Sequence, residues 1–307
     1  MHKTVLLNEA IDNLNIKTDG IYVDATLGLG GHSGLILKRI KRGFLFAFDQ
    51  DEMAIEYSEK KLSKIGTNYE IIKSNFANLK EELSKREIDR IDGIVFDLGV
   101  SSPQLDTPER GFSYHNDAPL DMRMDTSKSF SAYNVVNEYS YEELVRILRD
   151  YGEEKYASSI AKNIVKEREN KSINTTLELV DIIKKSMPFK AMRDSHPARK
   201  TFQAIRIEVN NELEVLKIAL EDAISMLKVG GRISAITFHS LEDRIVKEIF
   251  NKYSKVDNNL SGLPFVPEEY KPKYKLIGSI TPSKEELEEN NRARSSRLRV
   301  IERIKEW

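Results

Sequence analysis

The segment Asp24-Ala-Thr-Leu-Gly-Leu-Gly-Gly-His-Ser33 decides the fold of this chain. It follows the apolar residues 21–23 and precedes a helical pattern over residues 35–40. A strand, a turn of small residues and a helix begin a nucleotide-binding α/β unit, because glycines let backbone N–H groups approach a ligand closely and a helix N-terminus favours anionic groups. A glycine cluster alone is a weak signal, since a tight turn between packed elements has the same composition.

A second strand supports the ligand-binding interpretation. Residues 44–48 are apolar and end in Asp49, about twenty residues beyond the glycines, where such folds place an acid that bonds ribose hydroxyls. The third glycine position of the dinucleotide pattern holds Ser33 instead, so no pyrophosphate is required. The pattern therefore favours S-adenosylmethionine as the cofactor over NAD, and an NAD-dependent enzyme is the weaker alternative.

Composition excludes several classes of protein. The 307 residues are 40% hydrophobic with a net charge of −1, so any RNA contact must come from local basic patches. There is no cysteine, which excludes disulfides, thiolate zinc sites and the thiolate nucleophile used to methylate ring carbon 5 of cytosine. We predict no metal. Without an apolar run of about 20 residues or a signal peptide, we expect a cytoplasmic protein and no membrane partner.

The order of patterns predicts an α/β fold with a doubly wound, mostly parallel sheet. Residues 101–195 contain no strand pattern, which predicts a helical insert after the fourth strand. We therefore divide the chain into a core, residues 1–105 and 196–307, and an insert, residues 106–195. Asp51, Ser140, Thr175 and Ser240 are predicted helix caps. The predicted strands are 21–24, 44–49, 69–72, 91–97, 233–238 and an edge or antiparallel strand at 296–300.

Polar or aromatic residues lie at or just past the carboxyl ends of five predicted strands, where ligands bind in open α/β sheets. They are Asp24 with the glycines, Asp49, Phe76, Asp97 and His239. Asp97 is a candidate acceptor for an exocyclic amine, and the alternative is a turn cap. His239 is a candidate substrate contact, and the alternative is a structural histidine.

Two further sets are candidate RNA contacts. A predicted helix after His196 carries one polar stripe, which could equally be a solvated face: Arg199, Gln203, Arg206 and Asn210. The loop that opens the insert combines cations with aromatic rings that could hold a flipped base: Arg110, Phe112, Tyr114 and Arg123.

Several long strings resemble the bacterial ribosomal RNA small subunit methyltransferase H family, also called the MraW family. Besides residues 24–33, they are residues 2–9, 97–106, 110–114, 119–125, 196–204 and 238–244. The resemblance covers nearly the whole chain. One departure is Asn291, where the family often has proline. The two-proline tetrapeptide of other amino-methyltransferases is also absent, because Asp97-Leu-Gly-Val100 takes its place.

The resemblance implies a class I methyltransferase core that transfers a methyl group from S-adenosylmethionine to the N4 amine of one cytidine in the decoding region of 16S rRNA. The substrate would be this RNA in an assembled or assembling small ribosomal subunit, with a homodimer as one alternative for the enzyme. A non-catalytic RNA-binding assembly factor is the rival from another class. By motif, the implied cofactor contacts are Gly30, Gly31, His32, Asp49, Phe76, Asp97 and Gln104.

Overall fold

The computed structural model describes residues 3–193, 195–256 and 265–306. The chain forms two compact units. The first combines Met1–Gly99 with Leu213–Trp307, and the second is Val100–Glu212. Among the described residues, no helix is long and apolar enough to cross a membrane.

The first unit contains a seven-stranded sheet. The strands are β1 (Ile21–Asp24), β2 (Phe44–Asp49), β3 (Tyr69–Lys73), β4 (Ile91–Asp97), β5 (Leu227–Thr237), β6 (Tyr274–Ile280) and β7 (Arg297–Arg303). Their order in the sheet is β3-β2-β1-β4-β5-β7-β6. Strands β3, β2, β1, β4 and β5 run parallel, whereas β7 is antiparallel to both β5 and β6. This confirms the doubly wound, mostly parallel sheet.

Strands β5 and β6 correct the prediction in detail. β5 begins at Leu227 instead of residue 233, and Gly230 (φ +80°) lies within its irregular pairing with β4. The sequence does not predict β6, since most of its side chains are exposed and show no alternation. The predicted antiparallel strand β7 is confirmed, but β6 forms the edge of the sheet.

Both faces of the sheet are buried because alternate strand residues pack into different clusters. The helices of this unit are α1 (Leu7–Asn13), α2 (Gly31–Arg39), α3 (Glu52–Leu62), α4 (Leu79–Ser84), α11 (Glu212–Met226, which begins at the boundary), α12 (Ser240–Ser254) and α13 (Lys284–Glu289). Val23 and Phe96 join one cluster with α4, α11 and α12, while Leu45 and Val95 join the other with α1 and α2.

The second unit has its own core and no strand longer than an isolated bridge between Pro119 and Thr175 among the residues described. Ser140 and Thr175 form the predicted capping boxes. The helices are α5 (Ser102–Asp106), α6 (Ala132–Glu138), α7 (Tyr141–Asp150), α8 (Ala157–Asn170), α9 (Thr176–Lys185) and α10 (Arg199–Asn210).

The unit boundaries differ from the predicted insert of residues 106–195. The second unit starts at Val100 and continues to Glu212. The difference at the second boundary has a clear cause, because α10 buries Phe202 and Ile205 in the core of the second unit.

Candidate cofactor site at the carboxyl ends of the strands

Asp24 organises the loop after β1. Its side chain is fully buried, and its carboxylate accepts hydrogen bonds from the Thr26 backbone N–H (3.1 Å) and the Ser33 hydroxyl (2.6 Å). Burial raises the pKa of Asp24, while the bonds from Ser33 and Thr26 oppose that rise. The carboxylate thus fastens the glycine loop to the first turn of α2, where an acid also complements the helix dipole.

The glycines of the loop lack a side chain for different structural reasons. Gly28 and Gly30 have φ values of +49° and +65°, which side chains rarely adopt. A Cβ at Gly28 would meet one atom within 4 Å, the Thr26 carbonyl oxygen at 3.9 Å, so this side of the loop is open. A Cβ at Gly31 would lie 1.9 Å from Thr4 Oγ1. Gly31 therefore makes room for the N-terminal segment, whereas Gly28 leaves space that a ligand can use.

Asp49 joins this loop to the end of β2. Its Oδ2 accepts the Gly28 N–H (2.8 Å) and its Oδ1 accepts the Asp51 N–H (2.9 Å). Asp51 in turn caps α3 as predicted, because its side chain accepts the Met53 N–H (3.2 Å). Burial raises the pKa of Asp49 to about 6.

Asp97 ends β4, beside β1 at the point where the strand order reverses. Its backbone N–H donates to Thr26 Oγ1 (2.7 Å), and its Oδ2 lies 3.7 Å from Nδ1 of His32. The Oδ1 atom is buried and has no partner among the residues that the structure describes, yet 25% of the side chain is exposed. The Asp97 side chain is therefore partly exposed at the end of β4, while its buried Oδ1 still lacks a hydrogen-bond partner.

The surroundings of Asp97 favour its protonated form. Burial, followed by the negative charges of Asp24 and Glu242, raises its pKa well above the ordinary value. Burial lowers the pKa of His32 to about 4, so this imidazole is neutral at physiological pH. An ionised Asp97 is consequently a stronger proton acceptor than an ordinary aspartate.

His239 and Glu242 correct the predicted cap at Ser240. His239 is the N-cap of α12, and Glu242 Oε2 accepts the backbone N–H groups of Phe238 (2.8 Å) and His239 (3.3 Å). Glu242 Oε1 lies 3.1 Å from His239 Nε2. The sequence predicts Glu242 only as part of a helix cap. Its position four residues after the predicted strand 233–238 was the signal that connects it with a strand end.

Phe76 and Gln104 are placed differently. Phe76 follows β3 and packs edge-on against Phe96, with ring centroids 5.9 Å apart. Phe96 is the residue before Asp97, so the Phe76 ring belongs to the same end of the sheet. Gln104 lies in the second unit, where its buried side chain forms a capping box with Ser101 on α5.

The candidate RNA contacts in the second unit are mostly held by internal bonds. The Arg110 guanidinium is buried and donates to the Arg123 and Met124 carbonyl oxygens (2.9 and 3.3 Å). Arg123 forms a bidentate pair with Asp121 (2.8 and 2.7 Å). Phe112 is buried next to the Arg110 guanidinium (5.8 Å). These groups shape the loop that opens the unit.

The polar stripe of α10 is likewise used internally. Arg206 forms a bidentate pair with Glu212 (2.8 and 2.9 Å). Asn210 bonds the backbone of Met122 and Met124 (both 2.8 Å). Arg199 alone of the predicted arginines is exposed with no side-chain partner among the described residues.

The fold and this site define the class of the protein. A doubly wound sheet, a glycine loop after β1 and an acid at the end of β2 are those of a class I methyltransferase. A sequence profile of the MraW methylase family matches residues 1–304, and the chain belongs to this family. It is therefore an S-adenosylmethionine-dependent methyltransferase, as predicted.

Solved structures with low sequence identity are also similar. An rRNA methylase from Streptococcus thermophilus has 14% identity and a TM-score of 0.46, with 99% of each chain covered. A putative rRNA methylase from Clostridium thermocellum has 14% identity and a TM-score of 0.46, with 99% of this chain and 100% of that chain covered. A putative methyltransferase from Streptococcus mutans, solved in complex with SAH, has 14% identity and a TM-score of 0.41, at the same coverage.

Proposed function

We propose that this protein methylates the exocyclic N4 amine of a cytidine in the decoding region of 16S rRNA, within an assembled or assembling small ribosomal subunit. The family match supports a methyltransferase, and the resemblance of residues 97–106, 110–114 and 238–244 to the rRNA methyltransferases of that family supports this substrate. The absence of cysteine fits an amine target, since a carbon 5 target would require a thiolate.

Three acids at the strand ends fit the proposed binding of the cofactor. Burial raises the pKa values of Asp24, Asp49 and Asp97, so each carboxylate gains from a nearby positive charge. S-Adenosylmethionine carries a sulfonium and an ammonium group, and when bound it supplies an electrophilic methyl group. Asp49 would accept hydrogen bonds from the ribose hydroxyls, and the open side of Gly28 leaves room for the ligand.

The unpartnered Oδ1 of Asp97 is the observation that carries the proposed chemistry. The lone pair of the cytosine amine is conjugated into the ring, which makes the nitrogen a poor nucleophile. A carboxylate that accepts an amine hydrogen bond localises this lone pair, and the raised pKa of Asp97 makes it able to take the proton that N4 loses. Alignment of the reacting atoms lowers the barrier by about 7–11 kcal/mol in favourable cases.

The roles of the remaining predicted residues follow from their places in the fold. His239, held by Glu242, stays a candidate for orienting the base. Arg110, Arg123, Arg206 and Asn210 would support the RNA-binding loop from within the second unit, and Arg199 would meet phosphate directly.

Nucleoside mass spectrometry tests the proposal. Small subunits from cells that lack this protein are incubated with the purified enzyme and S-adenosylmethionine, and their 16S rRNA is digested to nucleosides. We expect N4-methylated cytidine species to be absent before incubation and present afterwards. A product methylated at carbon 5 or on ribose would contradict the N4 assignment.

Three further measurements separate the remaining alternatives. Tight binding of S-adenosylhomocysteine in calorimetry is expected of the enzyme and not of an assembly factor that keeps the fold as a scaffold. Naked 16S rRNA, offered beside assembled subunits, identifies the form of the substrate. Light scattering of the purified protein separates the homodimer from the monomer.

A further inference from the structure

A strongly basic segment of the second unit has no role in the site described above. Residues 184–200 contain six Lys or Arg residues and a single acid, Asp194, in a chain whose net charge is −1. Such a concentration of positive charge marks a surface for an anionic partner.

The cations of this segment are available to a partner. Lys184, Lys185, Lys190 and Arg193 are exposed, and none of them forms an ion pair within the residues 3–193, 195–256 and 265–306 that the structure describes. Elsewhere in the same unit, Arg123 and Arg206 are paired with acids at 2.7–2.9 Å. Cations whose only role is to stabilise the fold would be expected to form ion pairs, as Arg123 and Arg206 do.

An aromatic side chain lies among these cations. Phe189 is 74% exposed, more than any other large hydrophobic side chain of the described chain. The Arg193 guanidinium lies 5.9 Å from the centre of its ring. An exposed aromatic ring beside a guanidinium group is the combination on which unpaired bases stack in proteins that bind single-stranded RNA.

A second aromatic group adjoins the segment. The ring of His196 stacks on Tyr114 with centroids 4.4 Å and planes 18° apart, and His115 lies 5.2 Å from His196. Burial, His115 and Lys184 all lower the pKa of His196. Lys and Arg side chains therefore occur together with aromatic and imidazole rings in residues 184–193 and at His196.

We infer that residues 184–193 form a docking surface for unpaired nucleotides of the RNA substrate, with Phe189 stacking on a base and the neighbouring Lys and Arg side chains contacting phosphates. The inference rests on the proposed function for the identity of the RNA. Charge complementarity favours a polyanion, and the exposed ring distinguishes single-stranded RNA from a purely electrostatic partner.

The binding experiment uses the full-length protein and three labelled probes of equal length. They are a single-stranded oligoribonucleotide of mixed sequence, the same phosphate chain with abasic ribose, and polyglutamate. Phe189→Leu removes the aromatic ring, and Lys185→Gln with Lys190→Gln removes two charges. The matched controls in the same unit are Tyr141→Leu, at an exposed aromatic residue, and Lys162→Gln with Lys166→Gln, at two exposed lysines on α8.

We expect the wild-type protein to prefer the base-containing RNA over the abasic chain by about 5- to 100-fold, the range of base stacking on an aromatic ring. Phe189→Leu should remove this preference, and Tyr141→Leu should keep it. The double lysine variant should reduce the slope of log affinity against log salt by about 0.7 for each phosphate that is no longer bound. The lysine control should keep the wild-type slope.

Other results would overturn the inference. Equal binding of the RNA and the abasic chain by the wild-type protein would exclude stacking, and tighter binding of polyglutamate would indicate a protein partner. An unchanged salt slope in the double lysine variant would exclude the phosphate contacts. Suppose that the wild-type enzyme methylates 16S rRNA and that both variants bind RNA as the wild-type protein does. The docking surface would then be refuted, and the proposed function would remain intact. Wild-type binding that depends on Phe189 without any methyl transfer would refute the proposed function alone.

Discussion

Gly28 donates its backbone N–H to Oδ2 of Asp49 at 2.8 Å, and this bond joins the loop after β1 to the end of β2. The second oxygen of Asp49 accepts the Asp51 N–H, so two backbone donors fix the orientation of the carboxylate. Gly28 can serve as donor because its positive φ turns the loop toward β2 and no side chain fills the space beside it. The glycine loop and the acid proposed to bind ribose are thus hydrogen-bonded directly to each other.

The pKa of Asp49 predicts how cofactor affinity depends on pH. Ribose hydroxyls bond best to the ionised carboxylate, so binding releases the proton that free Asp49 carries below its pKa of about 6. We expect S-adenosylhomocysteine to bind about tenfold more weakly for each pH unit below that pKa. Calorimetry between pH 5 and pH 8 measures this dependence.

Asp49→Asn is the matching variant. It should bind more weakly at pH 8 and lose the Asp49 part of the pH dependence, because the amide does not titrate. Asp89→Asn, at an exposed acid, should reproduce the wild-type curve. Wild-type affinity that is constant between pH 5 and pH 7 would contradict the role of Asp49.

Asp97→Asn should separate proton transfer from cofactor binding. The amide keeps the shape of the side chain but cannot take a proton, so we expect kcat to fall by about 10²-fold or more. The affinity for S-adenosylhomocysteine should change much less. Nucleoside mass spectrometry gives kcat and calorimetry gives the affinity of the same preparation. Turnover at the wild-type rate would remove Asp97 from the mechanism, and a large loss of affinity would assign it to cofactor binding.

Glu242→Gln tests the electrostatic link to Asp97. The negative charge of Glu242 helps to raise the pKa of Asp97, and its removal therefore lowers that pKa. Since the ionised form of Asp97 is the proposed proton acceptor, the acid limb of the kcat profile should move to lower pH. The amide oxygen can still accept the Phe238 N–H, which limits the loss of the helix cap.

Glu248→Gln is the control for this shift, because Glu248 is exposed on the same helix. It should leave the pH profile in place. A Glu242→Gln profile that coincides with the wild-type one, in an enzyme with unchanged melting temperature, would show that the two acids are not coupled.

Strands with buried faces were predictable from sequence, and exposed or irregular ones were not. The strands near 21–24 and 44–49 were confirmed because apolar runs bounded by turn residues mark buried parallel strands. β6 carries exposed side chains at the edge of the sheet, and neither composition nor period identifies it. The start of β5 at Leu227 was not predictable either, because a glycine such as Gly230 is typical of a turn.

The strand ends of the candidate site were predictable, but the bonding of its members was not. Asp24, Asp49 and Asp97 are the last residues of predicted strands, and topology alone brings such residues to one edge of the sheet. The contribution of Glu242 depends on a helix that starts one residue earlier than predicted. The bonds of Asn210 depend on packing against the distant residues Met122 and Met124, and the pair between Arg206 and Glu212 depends on the turn after α10. Helical periodicity reveals neither.

Gly31→Ala should destabilise the folded protein through the N-terminal segment. The added Cβ would lie 1.9 Å from Thr4 Oγ1 and 2.8 Å from Thr4 Cβ, so the two segments must separate. Overpacking of this kind costs about 1–3 kcal/mol, which thermal unfolding followed by circular dichroism measures. Gly278→Ala is the control, because a Cβ there meets nothing within 4 Å. Combining Gly31→Ala with Thr4→Ala should recover part of the loss, since Oγ1 and Cγ2 are removed while Cβ remains. A Gly31→Ala protein as stable as wild type would show that residues 3–6 can move away without cost, and that Gly31 has another reason to lack a side chain.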